Sequence, residues 1–162
     1  MEIRLIIEIP KGSKNKYEVD EKTGKIMLDR ALYGSESFPF EYGYIEGTLG
    51  EDGDPMDVVL LCSNPTFPGC VIDAEPIGYL EMEDESGVDN KVIARAKAKI
   101  DPRWGHVDDV KDLPPHLLNE IKNFFETYKM LEPGKWVKVQ NFRSRKAAEK
   151  LIEEARERAK LA

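Results

Sequence analysis

The sequence predicts an α+β protein in which a small β-barrel is flanked by two α-helices. Short strand-like segments separated by Gly, Pro, Asn and Asp fill the first two thirds of the chain, and two segments with helical periodicity lie in the last third. A length of 162 residues with 41% hydrophobic residues suits one core, and no repeat or linker marks a boundary. A single domain over residues 1–162 is therefore expected.

The predicted strands come first, and each is bounded by turn residues, as is typical of a barrel or sandwich. They are Ile3–Ile9, Tyr17–Val19, Ile26–Leu32, Phe38–Ile45, Asp57–Cys62, Cys70–Asp73, Ile77–Met82 and Lys91–Lys97. In the fourth, aromatic residues recur at the strand period and so share one face: Phe38, Phe40, Tyr42 and Tyr44. We expect Phe40 in the core and the Tyr42 hydroxyl at the edge of a cavity.

The period then changes to that of a helix over Leu113–Leu131, which follows Asp112 and two prolines suited to a first turn. Pro133 and Gly134 end this helix, and Trp136–Val139 predicts a further strand. Ser144 opens the second helix, whose apolar face consists of Ala148, Leu151, Ile152, Ala155 and Ala159.

Composition excludes several classes of protein. Charged residues make up 34%, and no apolar stretch approaches the roughly 20 residues of a membrane span, so a membrane protein is not expected. The apolar start is interrupted by Arg4 and Glu8 and does not resemble a signal peptide, which favours the cytoplasm. In that compartment Cys62 and Cys70 are expected to be free, buried thiols.

The negative charge is concentrated in two segments. Residues 51–57 and 81–89 hold nine of the 31 acidic residues and no Lys or Arg, which leaves 22 acidic against 24 basic residues elsewhere. This distribution disfavours a nucleic-acid binder and favours a cation site.

The first acidic segment places Asp52, Asp54 and Asp57 around Gly53 and Pro55. Three crowded carboxylates repel one another unless water or a divalent cation surrounds them, so both a solvated turn and a metal loop remain open. The loop does not fit a calcium EF-hand, whose glycine stands sixth.

The second acidic segment favours the metal. Asp57 begins one predicted strand and Asp84 follows a later one, and neighbouring antiparallel strands bring such ends to the same rim. Oxygen ligands from Asp52, Asp57, Asp84 and Asp89 suit Mg²⁺ or Mn²⁺ better than zinc. Neither His106 nor His116 has ligand-like spacing, so surface or capping roles are expected for both.

Basic residues near strand ends are expected on the same rim as the acidic segments. Lys16, Arg30 and Lys91 accompany Glu8 and Glu18, and cations beside a metal-loaded carboxylate cluster suit a polyphosphate. Each of these cations alone is typical of a solvated strand end. In the first helix, Tyr128 is expected to pack in the core, whereas Lys129 is too polar to share that burial.

The sequence resembles the soluble family I inorganic pyrophosphatases of bacteria and archaea over nearly its whole length. The motifs that carry the resemblance include Ile7–Pro10, Lys16–Glu18, Asp29–Arg30, Tyr42–Tyr44, Asp52–Asp57, Phe67–Cys70, Met82–Glu85, Asp112–Pro115, Tyr128–Lys129 and Gly134–Val139. The Asp-Gly-Asp-Pro-x-Asp core is the most specific.

The resemblance implies an OB-like, closed five-stranded barrel and a cytoplasmic homohexamer that hydrolyses pyrophosphate to two orthophosphates with Mg²⁺. Mn²⁺ or Zn²⁺ would substitute, and Ca²⁺ would inhibit. The implied metal ligands are Asp52, Asp57, Asp84 and Asp89, with Glu8, Glu18 and Glu85 in the outer shell. The implied phosphate binders are Lys16, Arg30, Tyr42, Lys91, Tyr128 and Lys129, and the implied general base is Asp54.

The chain departs from the family pattern at several positions. Phe38 replaces a tyrosine and Val88 replaces an acidic residue, which bears on phosphate affinity and metal tuning. Asn123 and Thr127 stand where interface histidines are common in bacterial members, which bears on the stability of the hexamer.

Two alternatives of other classes stay open. An OB-like barrel with aromatic residues could bind single-stranded nucleic acid by stacking bases on Phe38 or Tyr42, although the acidic rim opposes this. A module that senses a divalent cation or phosphate without turnover would use the same ligands.

Overall fold

Nine strands and two α-helices make up the computed structural model, which describes all 162 residues. The strands are β1 (Ile3–Ile9), β2 (Asn15–Val19), β3 (Ile26–Ala31), β4 (Glu41–Ile45), β5 (Asp57–Leu61), β6 (Val71–Asp84), β7 (Gly87–Val88), β8 (Lys91–Ala96) and β9 (Val137–Ser144). The helices are α1 (Pro115–Thr127) and α2 (Arg145–Leu161), and two single 3₁₀ turns span Pro102–Trp104 and Val110–Asp112. The predicted α+β class, with two helices beside a mostly antiparallel sheet, is confirmed.

Seven of the strands form one mixed sheet in which β1 pairs with β4 on one side and with β6 on the other. The pairing continues from β4 to β5, then to β8 and β6, so the hydrogen-bonded path returns to β1. Only β5 and β8 run parallel. Strands β2 and β3 form a separate two-stranded hairpin.

Two apolar clusters fill the two sides of this sheet. Successive residues of β5 point to opposite faces of the sheet. Val59 and Leu61 belong to the cluster that contains the aromatic residues of α1, and Val58 and Leu60 belong to the cluster that contains Ile152 of α2. Because both faces are covered, β5 and β8 are buried along nearly their whole length instead of at alternate residues.

The prediction of two separate strands, Cys70–Asp73 and Ile77–Met82, is wrong. Strand β6 is continuous over 14 residues, since the register with β8 shifts between Pro76 and Gly78 and so accommodates the proline. Gly78 is required there because a Cβ atom would lie 2.4 Å from the carbonyl oxygen of Arg143.

Other boundaries also differ from the prediction. The segment predicted as Phe38–Ile45 becomes a strand only at Glu41, since Phe38 and Phe40 are buried against Phe124 of α1 in irregular backbone. The predicted helix Leu113–Leu131 contracts to α1, and the predicted strand Trp136–Val139 extends to Ser144 through pairing with β6.

The start of the last helix follows the prediction. Ser144 caps α2, with its hydroxyl accepting a hydrogen bond from the backbone N–H of Ala147 at 3.2 Å. Neither helix of the protein has the length and apolar character needed to cross a membrane. Cys62 and Cys70 are free, as expected, but they are half-buried instead of fully buried.

Candidate active site

A polar cavity of about 790 Å³ lies beside the starts of β5 and β8. All fourteen residues predicted for the site line it. They are Glu8, Lys16, Glu18, Arg30, Tyr42, Asp52, Asp54, Asp57, Asp84, Glu85, Asp89, Lys91, Tyr128 and Lys129. The structure thus brings together residues spread over more than 120 positions of the sequence, and the role of each stays a prediction.

The two acidic loops meet because β5 and β6 both pair with β8. The sequence argument assumed instead that the two strands carrying these loops were direct neighbours, which they are not. Strand β8 lies between them, parallel to β5 and antiparallel to β6. The start of β5 and the end of β6 therefore flank the start of β8, which places Asp57 and Asp84 on either side of Lys91.

Lys91 is almost completely buried between two of these carboxylates. Its Nζ lies 2.6 Å from Asp57 and 2.8 Å from Asp89, and 5.5 Å from the centre of the Tyr42 ring. Burial disfavours the charged amine, but Asp57, Tyr42 and Asp89 outweigh it and raise the pKa of Lys91. The amine is therefore a fixed positive charge in the cavity wall.

Lys129 is buried as well, which corrects the expectation that it is too polar to be so. It is 6% exposed, and its Nζ lies 3.1 Å from Asp84 and 3.4 Å from Glu85. These two carboxylates compensate the charge and make the burial tolerable. Tyr128, beside it, is both packed against Phe124, as expected, and part of the cavity lining.

Several carboxylates of the cavity hold protons more tightly than usual. Burial, reinforced by the charge of Asp57 and opposed by the backbone N–H of Val19, raises the pKa of Glu8 to about 7. Burial and the neighbouring Asp52 raise the pKa of Asp54. Burial raises the pKa of Asp89 too, against the effect of Lys91. Ten acidic residues line the cavity against five basic ones, so it carries more negative charge than its own lysines and arginine neutralise.

The donor atoms and the excess negative charge of the cavity show whether these residues suit a metal ion. The donors are all carboxylate oxygen atoms, which matches the preference of Mg²⁺, and the excess of acidic over basic residues in the cavity leaves room for additional positive charge. No three Asp, Glu, His or Cys side chains already converge on one point, because lysine amines lie between the carboxylates. The chemistry of the donor set fits a hard divalent cation.

The β2–β3 hairpin contributes two cations to the cavity, Lys16 and Arg30, together with Glu18, Asp20 and Glu21. Lys16 and Arg30 are direct cross-strand partners, and the Lys16 amine pairs with Glu18 at 2.5 Å. The Arg30 guanidinium contacts Asp29 and Glu132. Tyr42 lines the cavity from β4 and is neutral, because burial raises the pKa of its hydroxyl well above the usual value.

The departures from the family pattern occupy distinct environments. Phe38 is 2% exposed in the aromatic cluster, with its ring centre 4.6 Å from that of Phe124. Val88 is 63% exposed on the cavity lining. Asn123 is exposed on α1 and accepts a hydrogen bond from the hydroxyl of Thr127 through its backbone carbonyl.

Some cavity residues were not predicted. Tyr44 and Lys135 line it, and the alternation of aromatic residues in β4 was a signal for Tyr44. Glu132 contacts Arg30 across 102 positions of the sequence, and no local pattern indicates that contact.

A family model described as inorganic pyrophosphatase matches residues 5–160. The chain belongs to this family. The match confirms the predicted resemblance and the predicted enzyme class, a hydrolase of the inorganic pyrophosphatase type.

Individual inorganic pyrophosphatases show the same similarity. The chain is 51% identical to the protein of Saccharolobus solfataricus over 159 residues, covering 98% of this chain and 92% of the relative. It is 48% identical to that of Nanoarchaeum equitans over 160 residues, covering 99% of both. The solved inorganic pyrophosphatase of Helicobacter pylori superposes with a TM-score of 0.95 at 47% identity, covering 97% of this chain and 92% of that one.

Proposed function

We propose that this cavity hydrolyses inorganic pyrophosphate to two orthophosphates in a Mg²⁺-dependent reaction. The observation that carries the proposal is the union, in one cavity, of a carboxylate cluster with lysine, arginine and tyrosine side chains. A phosphoric anhydride needs both, since its oxygens are strongly negative and its cleavage requires an activated water. Membership of the inorganic pyrophosphatase family supports the same substrate.

In this proposal the carboxylate cluster holds the metal. Asp52, Asp57, Asp84 and Asp89 are the ligands, and Glu8, Glu18 and Glu85 form the outer shell. Bound Mg²⁺ supplies acidification of the attacking water and neutralisation of phosphate charge. Mn²⁺ or Zn²⁺ are the proposed substitutes.

The basic and phenolic side chains of the cavity bind the substrate. Lys16 and Lys91 offer ammonium groups to the phosphate oxygens, while Arg30, Lys129, Tyr42 and Tyr128 hold the leaving phosphate. Tyr42 and Tyr128 donate hydrogen bonds from rings packed against Phe125 and Phe124, which restricts where their hydroxyl groups can reach.

Asp54 is the proposed general base. It forms no ion pair with a lysine, whereas Asp57 is held by Lys91. Its raised pKa, caused by burial and by Asp52, brings its proton affinity closer to that needed to accept a proton from water. Gly53, with a φ of +90°, forms the turn that brings Asp52 and Asp54 to the same cavity.

The remaining predictions concern architecture and assembly. The returning path β1–β4–β5–β8–β6 supports an OB-like, closed five-stranded barrel in one domain. We propose a cytoplasmic homohexamer with no nucleic-acid partner. Sedimentation showing a monomer at micromolar concentration would refute the hexamer.

The test of the activity is phosphate release from pyrophosphate by the purified protein with Mg²⁺, and again after EDTA. Release that EDTA abolishes and excess Mg²⁺ restores supports the proposal. Cation binding without any phosphate release would instead favour the sensing module.

The test of the roles compares Asp54→Asn with Asp57→Asn. Asp54→Asn keeps the shape and removes the basic oxygen, so it should lower kcat by about 10²- to 10⁴-fold with little change in Mg²⁺ affinity. Asp57→Asn should weaken Mg²⁺ binding, and excess Mg²⁺ should restore part of its activity. Steady-state titration of Mg²⁺ and calorimetry measure the two effects. Near-normal kcat in Asp54→Asn, or its rescue by Mg²⁺, would make Asp54 a ligand and Glu8 the next candidate base.

A further inference from the structure

Glu132 is a buried acidic residue that has no role in the function proposed above. It is 7% exposed and lies in the turn between α1 and β9, three residues after Lys129. Its backbone is part of this turn, since its N–H donates to the carbonyl of Lys129 and its carbonyl accepts from the N–H of Lys135. Both of these lysines line the cavity.

The Glu132 carboxylate contacts Arg30 of the β2–β3 hairpin. Arg30 Nε lies 2.9 Å from Oε1, and Arg30 Nη2 donates a hydrogen bond to Oε2 at 3.3 Å. Asp29 holds the third nitrogen, Nη1. A guanidinium has five N–H groups, so these contacts fix its plane while leaving N–H groups on Nη1 and Nη2 for a phosphate.

The contact is close but incompletely aligned. The Nε atom is buried and has no hydrogen-bond acceptor in line with its N–H, although Oε1 lies within ion-pair distance. A small rotation of either group would complete a two-point carboxylate–guanidinium pair. The geometry of Arg30 is therefore sensitive to the carboxylate at position 132.

The position of Arg30 in the fold makes this contact important. Its strand β3 pairs only with β2, and neither strand belongs to the main sheet. The hairpin is linked to β1 by the Glu8 carboxylate, which accepts a hydrogen bond from the N–H of Val19 near the turn. Arg30 lies towards the opposite end of the hairpin, where Glu132 contacts it.

We propose that Glu132 is a positioning residue that holds Arg30 at the angle and distance needed to bind the leaving phosphate. It does so by joining the hairpin to the turn that carries Lys129, so the two phosphate-binding cations keep a fixed separation. This inference rests on the proposed function. It differs from a merely structural ion pair in predicting that the effect of Glu132 passes through Arg30.

The test is a double-mutant cycle of Glu132→Gln and Arg30→Lys, with kcat and KM for pyrophosphate measured in Mg²⁺. Glu132→Gln should lower kcat/KM by about 10- to 100-fold, the usual effect of misplacing a group that contacts substrate. In the Arg30→Lys background the same change should cost less than about 3-fold, because lysine lacks the forked geometry that Glu132 orients.

A second readout does not require turnover. The dissociation constant of imidodiphosphate with Mg²⁺, measured by calorimetry, should show the same coupling between the two positions. If the wild type binds imidodiphosphate but releases no phosphate from pyrophosphate, the proposed function fails while this binding cycle still decides the role of Glu132. If the wild type does not bind imidodiphosphate, both proposals fail.

The matched control is Asp73→Asn, which removes the carboxylate of another arginine pair. Arg4 Nε lies 2.9 Å from Asp73 Oδ1 on the outer surface, away from the cavity, so kcat/KM should stay within 2-fold of wild type. Equal costs of Glu132→Gln in both Arg30 backgrounds would overturn the proposal, as would a cost below 2-fold in the wild type. Should Glu132→Gln fail to fold, Glu132→Asp keeps the charge with a shorter reach and enters the same cycle.

Discussion

Replacing Lys91 by methionine removes the positive charge that separates two carboxylates of the cavity. The lysine side chain is 4% exposed, and its Nζ contacts Asp57 and Asp89 at 2.6 and 2.8 Å. Methionine has similar length and packs well, so the substitution leaves the volume nearly unchanged. The two carboxylates would then face each other without compensation.

The size of the effect follows from how far water reaches these groups. Breaking a fully buried ion pair by removing one partner costs about 3–5 kcal/mol. Here the Asp57 and Asp89 side chains keep 33% and 21% of their exposure, so we expect the lower end, about 3 kcal/mol. For a chain of this length that corresponds to a fall in Tm of about 6–12 °C.

Differential scanning calorimetry in EDTA at pH 7 measures this loss. Added Mg²⁺ should raise the Tm of Lys91→Met more than that of the wild type, because a bound cation supplies the missing charge. The matched control is Lys97→Met, whose amine pairs with Glu2 at the surface and whose loss should change Tm by less than about 3 °C. Equal shifts in the two variants, or no added gain from Mg²⁺, would refute the reasoning.

Three further predictions follow from the site and the last helix. Ca²⁺ should inhibit phosphate release in the presence of Mg²⁺, because its larger and more flexible coordination misplaces the water; comparable turnover with Ca²⁺ alone would contradict this. Burial raises the pKa of Glu8 to about 7, so in EDTA the stability gained from its proton is complete below about pH 4.5 and lost as the pH rises through 7. Glu8→Gln should therefore lose less Tm than the wild type between pH 5 and 8, and parallel curves would argue against a buried carboxyl. Ser144→Ala removes the cap of α2 and should cost about 1 kcal/mol, or about 2–4 °C in Tm; an unchanged Tm would show that the helix end is stabilised otherwise.

The sequence predicted which residues line the cavity better than it predicted which strands bring them together. Acidic and basic residues at strand ends mark a rim because the core interior excludes them, so Asp57, Asp84 and Lys91 could be found from position alone. Which strands are neighbours depends on contacts distant in sequence. The antiparallel argument therefore reached the right rim without finding β8 between β5 and β6.

Burial of charged residues was harder to predict for the same reason. Lys129 reads as a solvated residue because its partners, Asp84 and Glu85, are more than 40 positions away. Pro76 reads as the end of a strand, but the register shift beside it lets β6 continue. In both cases the compensating group belongs to another element, and local propensity carries no information about it.

The separate β2–β3 hairpin has a consequence for motion during a catalytic cycle. A two-stranded hairpin is marginally stable by itself, so its backbone amides should exchange with deuterium sooner than those of β5 and β8, which are covered on both faces. The part of the cavity that carries Lys16 and Arg30 can thus open as a small cooperative unit when the contact between Arg30 and Glu132 breaks. In the proposed reaction such an opening would widen the exit for orthophosphate, and the strength of that contact would help to set how often it occurs.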